Sequence, residues 1–348
     1  MSDESKLSNA GMPDSTTTSE PPKDATNQHS TEQPAESVNQ AETAPSALEG
    51  DSEQPASTTN DVNTKPVAAT TSDGWPTLPD THPLGKFLAE LKSIIEKVDY
   101  NEVYGITLNS SGDFHTKLIL QKFLRANQND LARAKDQLTA TLQWRKEFQP
   151  LKAKEEVFSK EKFGALGYVT MLERVPDSVN KTDAATFNIY GAVKDNKKTF
   201  GDTNEFIRWR VALMELGLSK LNLSSATTPI PDFGQGPDPY QGIQVHDYLR
   251  VSFLRQDPLV KAASKKTIDL FGRVYPETLS RKFFVNVPVV MGWMFTAMKM
   301  VLSKETVKKF TVLSYGNQLS GELGPSVPKV YGGSGPGLEA SGETPKYE

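Results

Sequence analysis

The 348-residue chain contains no cysteine, which excludes a disulfide framework, a thiolate metal site and a cysteine nucleophile, and leaves stability to packing. Histidine is nearly as scarce, with four in all. His246 is the single one in the C-terminal half, too few for zinc sites or triads built on several imidazoles. Phosphate-binding Gly-x-x-x-x-Gly-Lys, Gly-x-Gly-x-x-Gly, Gly-x-Ser-x-Gly and His-x-x-x-His patterns are missing, so a non-catalytic protein is expected. Excess positive charge is missing too. The net charge is −4, part of it carried by an acidic N-terminal stretch, and this gives no field for nucleic acid.

Aromatic residues are almost absent from Met1 to Thr71, where Ser, Thr, Pro, Glu, Gln, Asn and Ala run without helical or strand period. Such a segment cannot bury enough surface to offset its ordering entropy, and residues 1–74 are expected to be a disordered acidic tail. It has neither the basic start and apolar run of a secretory signal nor any arginine, which favours an intracellular protein.

From Trp75 the pattern changes. Leu84, Phe87, Leu88, Leu91, Ile95 and Val98 recur at three- and four-residue steps and predict a helix. A second is expected over Leu118–Arg125, and a third from an Asn129/Asp130 cap to Trp144 and Phe148. Residues 75–150 thus form a small all-α domain. Beyond it, β-rich runs at Gly167–Glu173, Phe187–Val193, Gln241–Phe253, Phe283–Val287 and Phe310–Leu313 alternate with helical stretches at Asn204–Leu221, Leu259–Val274 and Val289–Leu302. This predicts an α/β ligand-binding domain over 151–335, followed by a disordered tail at 336–348. The Pro- and Gly-rich segment Ser224–Tyr240 is long for a loop, and loops of that length tend to be functional or mobile.

Three features carry chemistry. The stretch Val289–Leu302 is apolar nearly all round, with Trp293, Phe295 and four methionines. At about 14 residues it is shorter than the roughly 20 that span a bilayer, so it is either a core helix or a cover over a cavity and against membrane. In the strand after Gln241, alternation places Gln244, His246, Tyr248 and Arg250 on one face. His246 and Tyr248 read either as a hydrogen-bonded structural pair or as a ligand site, since a phenolate binds ferric iron. Arg208 and Arg210 stand in a largely apolar helix and Lys282 just before a strand. They are surface cations snorkelling to water, or cations reaching into a pocket, where they would pair with propionates or phosphate and lower a nearby phenol's pKa.

The motifs resemble a known family. Lys122-Phe-Leu-Arg-Ala-Asn127, Leu138 and Thr141-Leu-Gln-Trp-Arg-Lys-Glu-Phe148 look like the CRAL-TRIO N-terminal helical domain. Val274-Tyr-Pro-Glu-Thr-Leu-Ser-Arg-Lys-Phe-Phe-Val-Asn-Val-Pro288 and Val327-Pro-Lys-Val-Tyr-Gly-Gly333 resemble the CRAL-TRIO lipid-binding domain, a mixed sheet with covering helices and a gate helix. Phe187-Asn-Ile-Tyr-Gly191, Arg208-Trp-Arg-Val-Ala-Leu-Met-Glu215 and Gln244-Val-His-Asp-Tyr248 are similar to its fungal, non-classical, haem-binding branch of phosphatidylinositol transfer proteins. The resemblance implies haem b with Tyr248 as axial iron ligand, a pocket lined by Tyr190, Arg210, His246 and Lys282, and phosphatidylinositol exchange at membranes. It departs from the typical branch where Tyr240 stands in place of an acidic headgroup residue. A cytoplasmic protein is expected, peripherally associated with endoplasmic reticulum or microsomal membrane and acting in phosphoinositide homeostasis or oxidant stress. The alternative is a ligand-free scaffold that works through protein contacts.

Overall fold

The computed structural model describes residues 74–251, 257–288 and 307–348. The expected N-terminal tail up to residue 73, the apolar stretch Val289–Leu302 with Trp293, and the end of the expected strand at Phe253 lie outside the described residues.

The helical part begins with α1 (Pro83–Val98), a hairpin of β1 (Glu102–Val103) and β2 (Ile106–Thr107), α2 (Phe114–Ala126) and α3 (Leu131–Phe148). Each helix starts where its sequence supplies a cap. The His82 ring accepts from the Leu84 amide with Pro83 at the first position, Asp113 accepts from the Thr116 amide, and Asp130 accepts from the Arg133 amide. Then come α4 (Pro150–Glu155), β3 (Val157–Phe158), α5 (Lys160–Phe163), β4 (Gly167–Glu173), β5 (Thr182–Ile189), α6 (Asn196–Phe200), α7 (Thr203–Ser219), β6 (Gly242–Asp247), α8 (Pro258–Val274), β7 (Leu279–Val285), β8 (Phe310–Val312), α9 (Leu319–Leu323), α10 (Leu338–Ser341) and β9 (Lys346–Tyr347).

The five-stranded sheet runs β4-β5-β6-β7-β8, antiparallel between β4 and β5 and parallel elsewhere. One face is an apolar layer of Phe187, Ile243, Val245, Phe283 and Val285 against Leu319, Leu323, Val327 and Tyr331. Alternation sends Asn188, Gln244, His246, Lys282 and Phe284 to the other face. There α7 covers β4 and β5, brought close at Gly167, where any Cβ would strike Leu213 and Trp209.

Several expected boundaries move. The β5 strand is Thr182–Ile189, and Tyr190–Ala192 is a 3-10 turn; the run before Phe187 is too rich in small and polar residues to advertise a strand. The β6 strand ends at Asp247, because the chain turns back through a Val251 amide to Tyr248 carbonyl bond and a left-handed Arg250. Lys282 lies inside β7 rather than ahead of it. The segment expected as a disordered tail at 336–348 is instead seated: α10 forms, β9 pairs in parallel with β3, and the Trp209 indole donates to the Tyr347 hydroxyl at 3.1 Å. A buried aromatic anchor holds a segment whose composition reads as loose.

The Ser224–Tyr240 segment is clamped by α2. Lys122 donates to Asp238 at 2.6 Å and to the carbonyls of Tyr240 and Glu277, while Arg125 donates to the carbonyls of Pro231, Asp232 and Gly236. Lys122 and Asp238 are both fully buried. Across the boundary at Pro150, Arg145 pairs with Glu102 and Glu215, and the Tyr275 hydroxyl donates to Glu215 at 2.7 Å. The Lys-Phe-Leu-Arg, Trp-Arg and Tyr-Pro-Glu motifs therefore share buried polar contacts between the helical and α/β parts.

Candidate ligand-binding site

The five residues expected to form a pocket come together where the C-terminal ends of β5 and β6 meet α7 and β7. The Tyr190 ring lies 5.5 Å from His246 and 5.3 Å from Tyr248, and Phe284 is 5.6 Å from His246. Register explains the grouping: Asn188 pairs with His246, His246 with Phe284 and Gln244 with Lys282. Gly191 is needed here, since a side chain at that position would collide with the Leu249 carbonyl, and this close approach sets Tyr190 against Tyr248. Asp247, on the opposite face, fixes the strand end. It accepts from the Leu249 amide at 2.8 Å, from Asn286 at 2.7 Å and from the Tyr331 hydroxyl at 2.8 Å, which accounts for the Asn-x-Pro and Val-Tyr-Gly-Gly motifs as strand-end braces.

Of the two arginines only one enters the site. Arg208 pairs with Glu156 and donates to the Phe148 carbonyl, away from the cluster. Arg210 is 2 % exposed, its guanidinium 5.3 Å from the Phe271 ring and 5.9 Å from Trp209. Its Nε and Nη1 have no hydrogen-bond partner among the described residues. Lys282 Nζ sits over Phe284 at 5.4 Å and Phe310 at 5.6 Å. Sequence reading missed Phe284 and Phe310 as neighbours, while Gln244, expected on the same face, meets the His246 ring at 3.2 Å and Met214 at 3.7 Å.

Two basic side chains, and no carboxylate among the described residues, shape the electrostatics. Burial lowers Lys282 to about 7, with Arg210 adding repulsion, and burial likewise lowers Arg210. Burial, then Lys282 and Arg210, holds His246 well below the ordinary imidazole range. The phenols move opposite to expectation. Burial raises Tyr190 and Tyr248, and although Arg210 pulls Tyr190 down, it does not outweigh desolvation. The cluster is thus a neutral imidazole and neutral phenols beside Arg210 and a partly neutralised Lys282, with no carboxylate partner for either among the described residues, an arrangement suited to an amphiphile that brings negative charge. The Tyr240 departure has a structural reading: Asp238, the nearest acid, is spent on Lys122 and is unavailable to a headgroup.

Among the described residues no group of three or more His, Asp or Glu side chains is placed to hold a bare metal ion. A separate cleft of about 880 Å³, lined by Trp144, Ile207, Leu270 and Arg273, borders none of the five expected residues.

Residues 187–333 match the model of the CRAL/TRIO domain and residues 83–140 that of the CRAL/TRIO N-terminal domain. Over 277 residues the chain is 63 % identical to the phosphatidylinositol transfer protein SFH5 of Phaeosphaeria nodorum, covering 80 % of this chain and 84 % of that protein. It is 55 % identical over 273 residues to the phosphatidylinositol transfer protein sfh5 of Sclerotinia sclerotiorum, covering 77 % of this chain and 65 % of that one. Among solved structures it is similar to the crystal structure of Sfh5, at 30 % identity and a TM-score of 0.65, covering 78 % of this chain and 95 % of the other.

Proposed function

The chain belongs to the CRAL-TRIO family, and on that premise we propose that it binds phosphatidylinositol and transfers it between membranes, with haem b as a second ligand of the same pocket. The observation that carries the reading is Arg210, a buried guanidinium whose Nε and Nη1 have no partner among the described residues, next to a partly neutralised Lys282. A buried donor left unmade costs about 1–3 kcal/mol, so an incoming phosphodiester or propionate recovers that loss as affinity. Phe284, Phe310 and Met214 supply the apolar contact that an acyl chain or porphyrin needs. The names of the relatives support the lipid part of the proposal.

The donor set fits haem b. Tyr248 would hold the iron, Arg210 and Lys282 the propionates, and Tyr190 and His246 would line the ring. When bound, haem supplies a ferric centre that a hard anionic oxygen stabilises against reduction. The protein's own contribution is proton management. Tyr248 is kept as a phenol by burial and by Tyr190, so ligation requires release of its hydroxyl proton, while neutral His246, bonded to Gln244, adds no further positive charge. Transfer implies transient docking on endoplasmic reticulum or microsomal membrane. Among the described residues no helix is long and apolar enough to cross a bilayer. A carrier of these two ligands would act in phosphoinositide homeostasis or the oxidant stress response.

The test is the absorption spectrum and iron content of protein purified from haem-supplied cells, together with exchange of phosphatidylinositol between vesicles. A strong Soret band near one iron per chain supports haem as a resident ligand, and Tyr248→Phe should then lose the ferric charge-transfer colour while remaining folded. A colourless protein that exchanges lipid would refute the haem assignment. A colourless protein that exchanges nothing would refute both and leave the scaffold reading.

A further inference from the structure

From the placement of its amine, we infer that Lys282 is a nucleophile that condenses reversibly with an apolar aldehyde admitted to the pocket, forming an imine. The inference rests on the reading that this face of the sheet takes an apolar ligand.

Lys282 lies within β7, paired in register with Gln244, and so shares a face with Gln244, His246 and Phe284. Its Nζ is held over the Phe284 and Phe310 rings. Other lysines of the described residues are differently placed: Lys122 is bound to Asp238, Lys162 to Glu205, and Lys309 to the Leu279 carbonyl beside Glu277. No carboxylate lies within ion-pairing distance of Lys282 among the described residues. Among the described residues, the charged and titratable groups that face this region are Arg210 from α7, His246 from β6, and Tyr190 and Tyr248 beyond β5 and β6; β8 contributes Phe310. None of them is negative, because burial keeps both phenols protonated.

A nucleophilic lysine needs its lone pair, and an ordinary amine near pKa 10.4 offers it in only about one molecule in a thousand at neutral pH. Burial and Arg210 lower this one to about 7, so about half the molecules carry a free amine there. The step balances without a co-reactant. The nitrogen lone pair adds to the carbonyl carbon, the carbonyl oxygen takes up one of the nitrogen's two protons to give the carbinolamine, and that hydroxyl then leaves with the second proton as water, giving R–CH=N–Lys. An aldehyde brings no charge and leaves Arg210 unpaired, so its affinity comes from its chain against Phe284, Phe310 and Met214. It would therefore be displaced by an anionic amphiphile of the same pocket.

The full chain, stripped of lipid, is incubated with decanal and cyanoborohydride near pH 7, and each lysine's alkylation is measured by peptide mapping. Lys282 should be labelled at least about tenfold faster than the exposed Lys97 and Lys329, in line with its larger neutral fraction. Its rate should rise through pH 7 and level off while theirs keeps climbing, and Lys282→Arg should remove the fast site. Labelling of Lys282 no faster than the exposed lysines would overturn the inference. Preloading with phosphatidylinositol separates the two readings. Protection of Lys282 supports both, whereas fast labelling without protection supports the amine chemistry and counts against the lipid. Lipid exchange with Lys282 unlabelled overturns the imine alone.

Discussion

Replacing Arg210 by methionine should make the ligand-free protein more stable and a worse carrier. Arg210 is 2 % exposed, with Nε and Nη1 unpartnered among the described residues. Two unmade buried donors cost about 2–6 kcal/mol together. The Phe271 and Trp209 rings return about 0.5–2 kcal/mol through cation–π contact. Methionine retains most of the stem's packing and adapts to irregular space. The net expectation is a gain of about 1–3 kcal/mol in urea unfolding of delipidated protein, or several degrees in Tm at about 2–4 °C per kcal/mol for a fold of this size. The same change removes a charge-assisted bond to the ligand's anion, worth about 1.5–3 kcal/mol, so phosphatidylinositol affinity should fall about 10- to 100-fold. Arg210→Lys, which keeps the charge but lacks the fork, should lose affinity without gaining stability. A delipidated Arg210→Met protein less stable than the parent would refute the reasoning, because the guanidinium would then be earning its place without ligand.

The Lys122–Asp238 pair is fully buried, so Lys122→Met strands a carboxylate and should cost about 3–5 kcal/mol in urea unfolding, most of it recovered by Lys122→Met with Asp238→Leu. Truncation after Gly342 removes β9 and the Tyr347–Trp209 bond; the loss of one half-buried aromatic should cost about 1–2 kcal/mol, and an unchanged Tm would contradict the seated C terminus. In delipidated protein, stability contributed by Lys282 should rise from about pH 7 towards 10.5. Its folded pKa is about 7, so across that window the unfolded chain holds the extra proton; Lys282→Met should flatten the slope. His246, lowered well below 6.5, should withdraw stability as pH falls beneath 6.5, an effect that His246→Gln should abolish.

How far the sequence could be read depends on the range of the interaction concerned. The helix starts at Pro83, Leu131 and Pro258 follow from caps and proline a residue or two away, and β4 follows from its β-rich run Gly167–Glu173. Membership of the family was legible in contiguous motifs such as Tyr275-Pro-Glu277. Local composition misled where the partner is remote. Residues 336–348 look loose until Tyr347 meets Trp209 and β9 meets β3, and Ser224–Tyr240 reads as a free loop until Lys122 and Arg125 reach into it. At the site, spacing placed His246 and Tyr248 as neighbours and marked Arg210 and Lys282 as cations for either water or a pocket, and resemblance added Tyr190 and chose the pocket.

The sequence by itself determined which residue types are available: one C-terminal imidazole, no thiol, and a few phenols and cations in apolar elements. Only the tertiary structure decided their state. Arg208 and Arg210 are two residues apart on one helix, yet one finds Glu156 and the other finds aromatic rings and, among the described residues, no acid. The phenol shift is upward because desolvation exceeds the attraction of the nearby cation. Burial and counter-ion distance depend on where β5, β6, β7 and α7 meet, and no local pattern encodes that meeting, so charge, proton and ligand preference are fixed by packing.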